Sequence, residues 1–418
     1  MVKIDKLDNA LTVVSEKTTY VRSVSIGVFV KNGSMHESAD VTGISHFIEH
    51  MLFKGTNKRS ARDIAVAVDS VGANLNAYTT KEYTCYHIKI LDTHTDLALD
   101  ILYDMIFNSK LSKTDIDTER NVIFEEIAMY EDAPEELVHD MLLEAAWTDG
   151  CGVGAPTLGT HESLEKIDSG VLKTYMQKTY IPENMVICAA GNLPDDFVLK
   201  VKQTFGQIKN TPGSNDFKFQ QYKNNILIKK KDIEQVHFCL GFEAFGGDDE
   251  KNYALLAYNN ILGSSMSSDL FQKIREEKGL VYSVFSYLSS FVSMGVSVVS
   301  ASMHPKNLEK VLCLVYDEIN KAKKNHVNES RLKQAKEQLK GNYIIGLENV
   351  SARMQSMGRS YLLYNKVRTP EQVIKKIDGV TADKTNDVID EVFDFNKMCA
   401  SAIGSGDALK PEIFRMQK

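Results

Sequence analysis

Apolar and polar residues in the first half of the chain follow two periods, one typical of strands and one typical of helices. Apolar residues at every second position predict a strand at Val24, Ile26, Val28 and Val30. Helical spacing follows at 43–54, and again after Ser60, a favoured N-cap residue. The segment 74–91 predicts two strands joined by a turn. Further helical patterns are predicted at 94–108, 113–131 and 135–147, and a closing strand is predicted at 183–192.

The same order of patterns begins again after a polar stretch at 209–225, which is the best linker candidate. The second half contains a strand like the early one, helical pieces, a strand pair and two long helices. It ends with FNKMCASAIG, which is similar to PENMVICAAG at the end of the first half. The repetition predicts an α+β fold with two similar α/β-sandwich domains, 1–208 and 226–418, from an internal duplication. We expect each domain to be an antiparallel-rich sheet packed with helices.

One uncharged segment, 280–303, is long enough to suggest a transmembrane helix. It contains eight serines, and its β-branched and aromatic residues favour strands. We therefore predict two buried strands joined near Gly295. The first residues, MVKIDKLDNALTVV, lack a continuous apolar core, so we expect no signal peptide.

Composition narrows the class of protein. The chain has 418 residues, 43% of them hydrophobic and 25% charged, which is an ordinary globular mixture large enough for two cores. The formal net charge is −7 and no basic block is present, so neither nucleic acid nor an anionic membrane is an expected partner. The six cysteines are widely spaced, which predicts reduced, mostly buried thiols and a cytoplasmic location.

The candidate chemistry lies in the apolar run HFIEHMLFKGT. His46 and His50 are four residues apart, so on a helix both imidazoles project from one face, with Glu49 beside them. Two histidines at this spacing can bind one metal ion, although a catalytic zinc site needs a third protein ligand. By itself, the pair is equally compatible with two histidines packed in a core.

The best candidates for a further ligand lie in the predicted helix 114–132. Glu119 and Glu126 are seven residues apart and fall on the same side of that helix, whereas Glu125 points away. A carboxylate on a buried face requires a positive partner. The predicted apolar side is formed by Ile116, Val122, Ile123 and Ile127.

Together these motifs resemble the pitrilysin or insulinase-type zinc peptidases, the inverzincin family that includes mitochondrial processing peptidase and its bacterial relatives. HFIEHMLFKGT and ERNVIFEEI, whose Glu126 lies seventy-six residues beyond His50, carry the resemblance. GANLNAYTTKEYTCYHIKIL is similar to the family's strand that pairs with substrate. MSSDLFQKIREEKGLVYSV is similar to its signature in the second half.

The resemblance implies a role for each matching residue. His46, His50 and Glu126 would bind one zinc ion per chain, and Glu49 would be the general base. Glu119 would be an accessory carboxylate that holds the site. The first domain would be catalytic, and the second a non-catalytic copy that completes the substrate chamber.

The resemblance also implies how substrate is bound. Asn76, Ala77 and Tyr78 would lie on an edge strand that takes an extended peptide as an added strand. Arg275 and Tyr282 match a pair that reaches the catalytic centre from another domain, and in dimeric members from the partner chain. The implied activity is a zinc metalloendopeptidase acting on extended or unfolded peptides. We expect a homodimer, or a heterodimer with an inactive relative.

Several alternatives remain open at this point. One alternative is a non-catalytic subunit or binding protein of the same fold in a paired assembly, although such members usually lack part of the zinc site and here His46, Glu49, His50 and Glu126 are all present. A metallohydrolase acting on non-peptide bonds is a further alternative. Without the resemblance, Arg275 reads as a surface arginine paired with Glu276 or Glu277, and Tyr282 as a core aromatic residue. Two departures from the family pattern are Gly263-Ser264-Ser265, where glycines are frequent, and Asp269, where arginine is frequent.

Overall fold

The computed structural model describes residues 2–147, 151–211, 213, 220–406 and 409–415. The strands are β1 Val2–Lys6, β2 Thr12–Lys17, β3 Ser23–Val30, β4 Asn74–Thr79, β5 Thr84–Leu91, β6 Met185–Gly191, β7 Ile226–Lys230, β8 Val236–Ala244, β9 Ser283–Ser290, β10 Gly295–Met303 and β11 Cys399–Gly404.

The helices lie between these strands in both halves of the chain. They are α1 Ile44–Leu52, α2 Ala61–Asp69, α3 Thr95–Asn108, α4 Lys113–Glu131, α5 Pro134–Ala146, α6 His161–Glu165, α7 Ser169–Thr179, α8 Phe197–Phe205, α9 Lys251–Leu262, α10 Leu308–Asn325, α11 Glu329–Leu347, α12 Val350–Tyr364, α13 Pro370–Asp378 and α14 Ala382–Val392. Helices α3 to α7 lie in succession before β6, and α10 to α14 lie in succession before β11. A π-helical segment, Phe271–Glu276, lies between α9 and β9.

Two sheets with the same topology confirm the predicted α+β fold. The six-stranded sheet has the order β1-β2-β6-β3-β5-β4, and the five-stranded sheet the order β7-β11-β8-β10-β9. Apart from β1, the two sheets also share their strand directions. In each sheet, the strand that comes first in the sequence pairs in parallel with the strand that comes last, and the other neighbouring strands are antiparallel. This shared order is the arrangement expected of a duplicated unit.

The chain divides into two compact units. The first contains Met1–Ile127, Gly150–Lys218 and Ile345–Arg368, and the second Ala128–Asp149, Phe219–Ile344 and Thr369–Lys418. This division differs from 1–208 and 226–418 because α5 packs on β8 and β11, whereas α12 packs on β3 and β6. Of the predicted linker 209–225, residues 212 and 214–219 lie outside the described residues.

Each unit has its own core. In the first unit, the β3 residues Val24, Ile26 and Val28 are fully buried in a cluster with α1 and α3, as their alternation predicts. The other face of the same sheet, with Phe29 and Cys85, is covered by α12. In the second unit, a separate cluster fills the space between the sheet and α9, α10 and α14. Both faces of the first sheet are therefore covered, whereas the alternation in β3 indicates only one of them.

The uncharged segment 280–303 forms the antiparallel pair β9 and β10, as predicted, and Gly295 begins the second strand. No helix in the described part of the chain has both the length and the apolar character needed to cross a membrane. All six cysteines are free, and Cys85, Cys188, Cys239 and Cys399 are buried.

A short 3-10 turn, Ser34–His36, precedes α1 and contains a histidine that the fold keeps neutral. His36 Nδ1 accepts a hydrogen bond from Gly33 N at 3.2 Å. Burial, with a smaller contribution from the nearby charge of Lys31, lowers the pKa of His36 from 6.5 to about 4. The unfolded chain therefore takes up this proton at a higher pH than the folded chain does.

This shift predicts a pH-dependent loss of stability. The stabilisation from neutral His36 is present above pH 6.5 and is lost as the pH falls towards about 4. The loss amounts to about 3 kcal/mol of unfolding free energy. Urea unfolding of the wild type and of His36→Gln over this range should give a difference that shrinks or reverses as the pH falls. A difference that is constant with pH would contradict the prediction.

Candidate metal centre

Helix α1 presents the two histidines of the predicted site on one face. It packs against the edge strand β4, and His46 is only 7% exposed. The His46 and His50 rings lie edge to face, with their centroids 4.5 Å apart. The i, i+4 spacing read from the sequence therefore brings both imidazoles to one place.

Glu126 of α4 completes a group of three. Its Oε2 lies 3.7 Å from His46 Nε2 and 3.5 Å from His50 Nε2. The three ligand atoms lie within 4.8 Å of one another. Ligand atoms about 2.1 Å from a tetrahedral zinc ion stand about 3.4 Å apart, so these distances leave room for one ion. Two imidazole nitrogens and a carboxylate oxygen are a donor set that suits zinc.

His50 is oriented by Glu119, the second carboxylate that the sequence singled out. His50 Nδ1 donates to Glu119 Oε1 at 2.8 Å, which leaves Nε2 free to face Glu126. Lys54 Nζ lies 2.5 Å from Glu119 Oε2 and balances this buried charge. Lys54 was not identified from the sequence. Its position four residues after His50, within the predicted helical segment 43–54, was the available signal, although the structure ends α1 at Leu52.

His46 is held in its neutral form. Burial, with a smaller effect of His50, lowers the pKa of His46 to about 3. A neutral imidazole is the form that binds a metal ion. Its Nδ1 is buried and has no hydrogen-bond partner within the described residues. The direction of this ring therefore depends on the backbone that carries it.

Glu49 lies on α1 beside the two histidines and is fixed by β4. Thr79 Oγ1 donates to Glu49 Oε2 at 2.5 Å. Burial raises the pKa of Glu49, while the Thr79 hydrogen bond and the charge of His50 lower it. Thr79 was not identified from the sequence. The available signal was strand alternation, which places Thr79 on the same face of β4 as the buried Ala77.

The Thr79 contact predicts a measurable effect on turnover. Thr79→Val should lower kcat about tenfold without loss of zinc, because it frees the Glu49 carboxylate and leaves the three ligand atoms in place. Thr79→Ser keeps the hydroxyl group and should restore most of the rate. Peptide-cleavage kinetics with zinc analysis of both variants test this. Equal kcat values for Thr79→Val and wild type would exclude a role for the contact.

The buried face of α4 differs from the prediction at one position. Glu119, Ile116 and Ile123 are buried, but Val122 is 46% exposed. A residue adjacent to Ile123 is rotated by about 100° around the helix, so both cannot lie on the same narrow face. Glu125 is exposed, as predicted. The Glu126 side chain is 33% exposed.

The predicted substrate residues Asn76, Ala77 and Tyr78 lie on β4, which is the last strand of the six-stranded sheet. The Tyr78 ring lies 6.0 Å from the rings of both Tyr83 and His87. Asn76 Oδ1 accepts a hydrogen bond from Ala77 N at 2.8 Å. An edge strand can accept a further strand, and peptide binding by these residues stays a prediction.

Arg275 and Tyr282 lie together in the second unit. The Arg275 guanidinium is 4.7 Å from the centre of the Phe271 ring and 5.9 Å from that of Tyr282. Glu277 pairs with Lys273 at 2.7 Å. Tyr282 is 78% exposed, so reading it as a core aromatic residue was wrong. The part that the resemblance gives this pair in catalysis stays a prediction.

Of the two departures from the family pattern, the structure gives a contact that accounts for Asp269 and, among the described residues, none that accounts for Ser264 and Ser265. Asp269 forms a bidentate ion pair with Arg331, at 2.8 and 3.0 Å. Gly263 lies against Ser286, and a Cβ atom there would stand 2.5 Å from its Oγ. Of the histidine, cysteine and acidic side chains that the structure describes, only His46, His50 and Glu126 form a possible metal-binding group.

Comparison with protein families gives two matches. The model described as "Insulinase (Peptidase family M16)" matches residues 12–161. The model described as "Peptidase M16 inactive domain" matches residues 166–339. The first match contains all the residues of the candidate metal centre.

Individual proteins and solved structures are similar over nearly the whole chain. The uncharacterized zinc protease YmxG of Bacillus subtilis is 39% identical over 94% of this chain and 96% of its own length. The uncharacterized zinc protease ML0855 of Mycobacterium leprae is 38% identical over 95% of this chain and 90% of its own length. A crystal structure of a protease from Helicobacter pylori has a TM-score of 0.90, with 20% identity over 97% of this chain and 99% of that one. A crystal structure of a "peptidase M16 inactive domain" from Pseudomonas fluorescens has a TM-score of 0.89, with 18% identity over 98% of this chain and 100% of that one.

Proposed function

Because the chain belongs to the insulinase family, peptidase family M16, we propose that it is a zinc-dependent endopeptidase that hydrolyses extended or unfolded peptides. The observation that carries this proposal is the approach of Glu126 to both histidines, with Glu49 held beside them by Thr79. Relatives at 38–39% identity are named zinc proteases, which agrees with the same chemistry.

His46, His50 and Glu126 would hold the zinc ion. When bound, zinc supplies a Lewis acid that makes water nucleophilic near neutral pH and polarises a peptide carbonyl group. Glu119 keeps His50 Nδ1 protonated, so that Nε2 is the nitrogen available to the ion.

Glu49 would act as the general base and then as the general acid. Its Oε2 is engaged by Thr79, so Oε1 is the oxygen that takes the proton from the attacking water. The same carboxyl group then donates that proton to the leaving amine. The burial that raises the pKa of Glu49 favours this exchange of roles near neutral pH.

The edge of β4 would align the substrate. An extended peptide added to this edge is bound through backbone hydrogen bonds, which read little side-chain sequence. A folded protein seldom offers an extended segment whose backbone groups are free on both sides, so unfolded segments and oligopeptides are the proposed substrates. Arg275 and Tyr282 are proposed to assist at the catalytic centre, with Tyr282 helping to stabilise the oxyanion.

A peptide-library digest tests the proposal. Mass spectrometry of a mixed peptide library should reveal cleavage by the wild type, its loss with a zinc chelator, and its return when zinc is added. Unchanged cleavage in the chelator would contradict zinc dependence. A complete lack of cleavage, with zinc bound, would favour a non-catalytic binding subunit of the same fold. Solution mass measured on the same sample tests the proposed homodimer.

A further inference from the structure

The helix that carries most of the candidate site is short, so its orientation depends on contacts with the rest of the fold. Helix α1 has nine residues, and isolated helices of this length are marginal in water. It carries two of the three proposed ligands and the proposed base. Glu126, by contrast, comes from α4, so the gap between the ligands depends on how α1 is fixed relative to α4. The contacts at the ends of α1 therefore decide the geometry of the site.

The N-terminus of α1 is capped by a distant carboxylate. Its N-cap residue, Gly43, has a φ of +92° and no side chain that could accept a hydrogen bond. Glu37 Oε2 accepts from Gly43 N at 2.6 Å, and Glu37 Oε1 accepts from Ser45 N at 2.8 Å. One carboxyl group thus satisfies two N–H groups that the helix leaves unpaired, at the end where the helix dipole favours negative charge.

This cap is enclosed. Glu37 is 4% exposed, so water does not compete for its hydrogen bonds. A Cβ atom on Gly43 would stand 2.6 Å from Gly159 Cα, which leaves no room for a residue with its own capping side chain. The close approach of these two glycines explains why the cap comes from Glu37 and not from the N-cap position.

A second contact fixes the same turn of α1. Asn32 Nδ2 donates to Ser45 Oγ at 2.9 Å, and Asn32 is completely buried. Tyr175 OH donates to Asn32 Oδ1, and Thr84 Oγ1 donates to the Asn32 carbonyl oxygen, both at 2.9 Å. These bonds join the first turn of α1 to β5 and α7. The first turn of α1 is therefore held by two sets of hydrogen bonds, those of the Glu37 carboxyl group and those of Asn32.

The orientations of the two histidine rings depend on these hydrogen bonds to different degrees. His50 has an outer partner in Glu119, which orients its ring. His46 has no such partner among the described residues, and it follows Ser45 directly. The direction of the His46 ring therefore depends on the packing around this buried side chain and on the backbone turn that Glu37 caps.

We propose that Glu37 is a positioning residue of the metal centre, which fixes the first turn of α1 and so aims His46 at the ion that His50 and Glu126 share. This inference rests on the proposed function only in that the group binds zinc. It does not depend on peptide cleavage.

Metal affinity is the deciding measurement. Glu37→Gln keeps the size of the side chain but replaces one acceptor oxygen with an NH₂ group that opposes a backbone N–H. Chelator competition should show zinc binding about 10- to 100-fold weaker than in the wild type. The absorption spectrum of the cobalt-substituted variant should change as well, because its bands report ligand geometry. Glu162→Gln, the same substitution at an exposed ion pair with Lys166, should match the wild type in both measurements.

Several outcomes would overturn the inference. A folded Glu37→Gln variant that loses thermal stability but keeps wild-type zinc affinity would assign Glu37 to folding alone. If Glu37→Gln does not fold, Glu37→Asp decides the question, because it keeps the carboxyl group but shortens its reach. Weakened zinc binding in the Asp variant supports the inference, and wild-type affinity overturns it. A wild type that binds no zinc would overturn the proposed function as well, whereas a wild type that binds zinc without cleaving peptides would overturn the proposed function alone.

Discussion

Glu49→Gln is expected to retain zinc and to lose nearly all peptide cleavage. The glutamine fills the same space and can still accept from Thr79 Oγ1, so α1 and its histidines stay in place. It cannot take a proton from water, and the loss of a positioned general base lowers kcat by about 10²- to 10⁴-fold. Cleavage kinetics on a peptide found in the library digest, with elemental analysis of the same protein, measure both quantities.

Glu125→Gln is the matched control for this experiment. It makes the same chemical change one residue before Glu126, on an exposed side chain of α4. Its kcat and zinc content should equal those of the wild type. If Glu49→Gln cleaved peptides at the wild-type rate, Glu49 would not be the base. If it lost its zinc, the fall in rate would not measure proton transfer.

His50→Ala is expected to lose the metal itself. The substitution removes one ligand atom and also leaves Glu119 and Lys54 without the imidazole between them and the site. Zinc content after dialysis should fall from about one ion per chain to near zero, and cleavage should fall with it. Elemental analysis and circular dichroism on the same sample distinguish metal loss from unfolding.

The control for the histidine substitution is His94→Ala, at a partly exposed histidine before α3. This variant should keep its zinc and its activity. Full zinc occupancy in dialysed His50→Ala would show that His50 is not a ligand. Added zinc at high concentration should restore little cleavage to His50→Ala, because two of the three protein ligands hold the ion weakly.

Much of the fold was predictable because local periodicity reports burial. The strand pair in 280–303 was predicted from its serine and β-branched content, and the structure contains β9 and β10 there. The repeated order of patterns predicted two similar domains, and the two sheets share one topology. The packing of α5 and α12 was not predictable, because an amphipathic helix does not encode which sheet it will cover.

The candidate site was predictable in part, for a similar reason. The helical period placed Glu119 and Glu126 on one apolar side of the helix, and in the structure both carboxylates lie beside histidines of α1. The same period placed Val122 on that side, and Val122 is exposed. The apolar character of a residue beside a buried one is only a weak indicator that it is buried too, since many apolar side chains remain at the surface. Strand alternation indicates the face of β4 on which Thr79 lies, but no local period identifies the partners of Thr79 and Glu37, because those partners lie on α1.

The sequence by itself determined the spacing of His46, Glu49 and His50, the acidic positions on α4 and the duplicated order of elements. These features depend on neighbours a few residues apart, whose geometry follows from helix and strand periods. Only the tertiary structure decided that Glu126 meets both imidazoles, that Glu119 orients His50, and that Glu37 caps α1. Those contacts join segments whose separation is set by core packing, and no local period fixes a distance between separate elements.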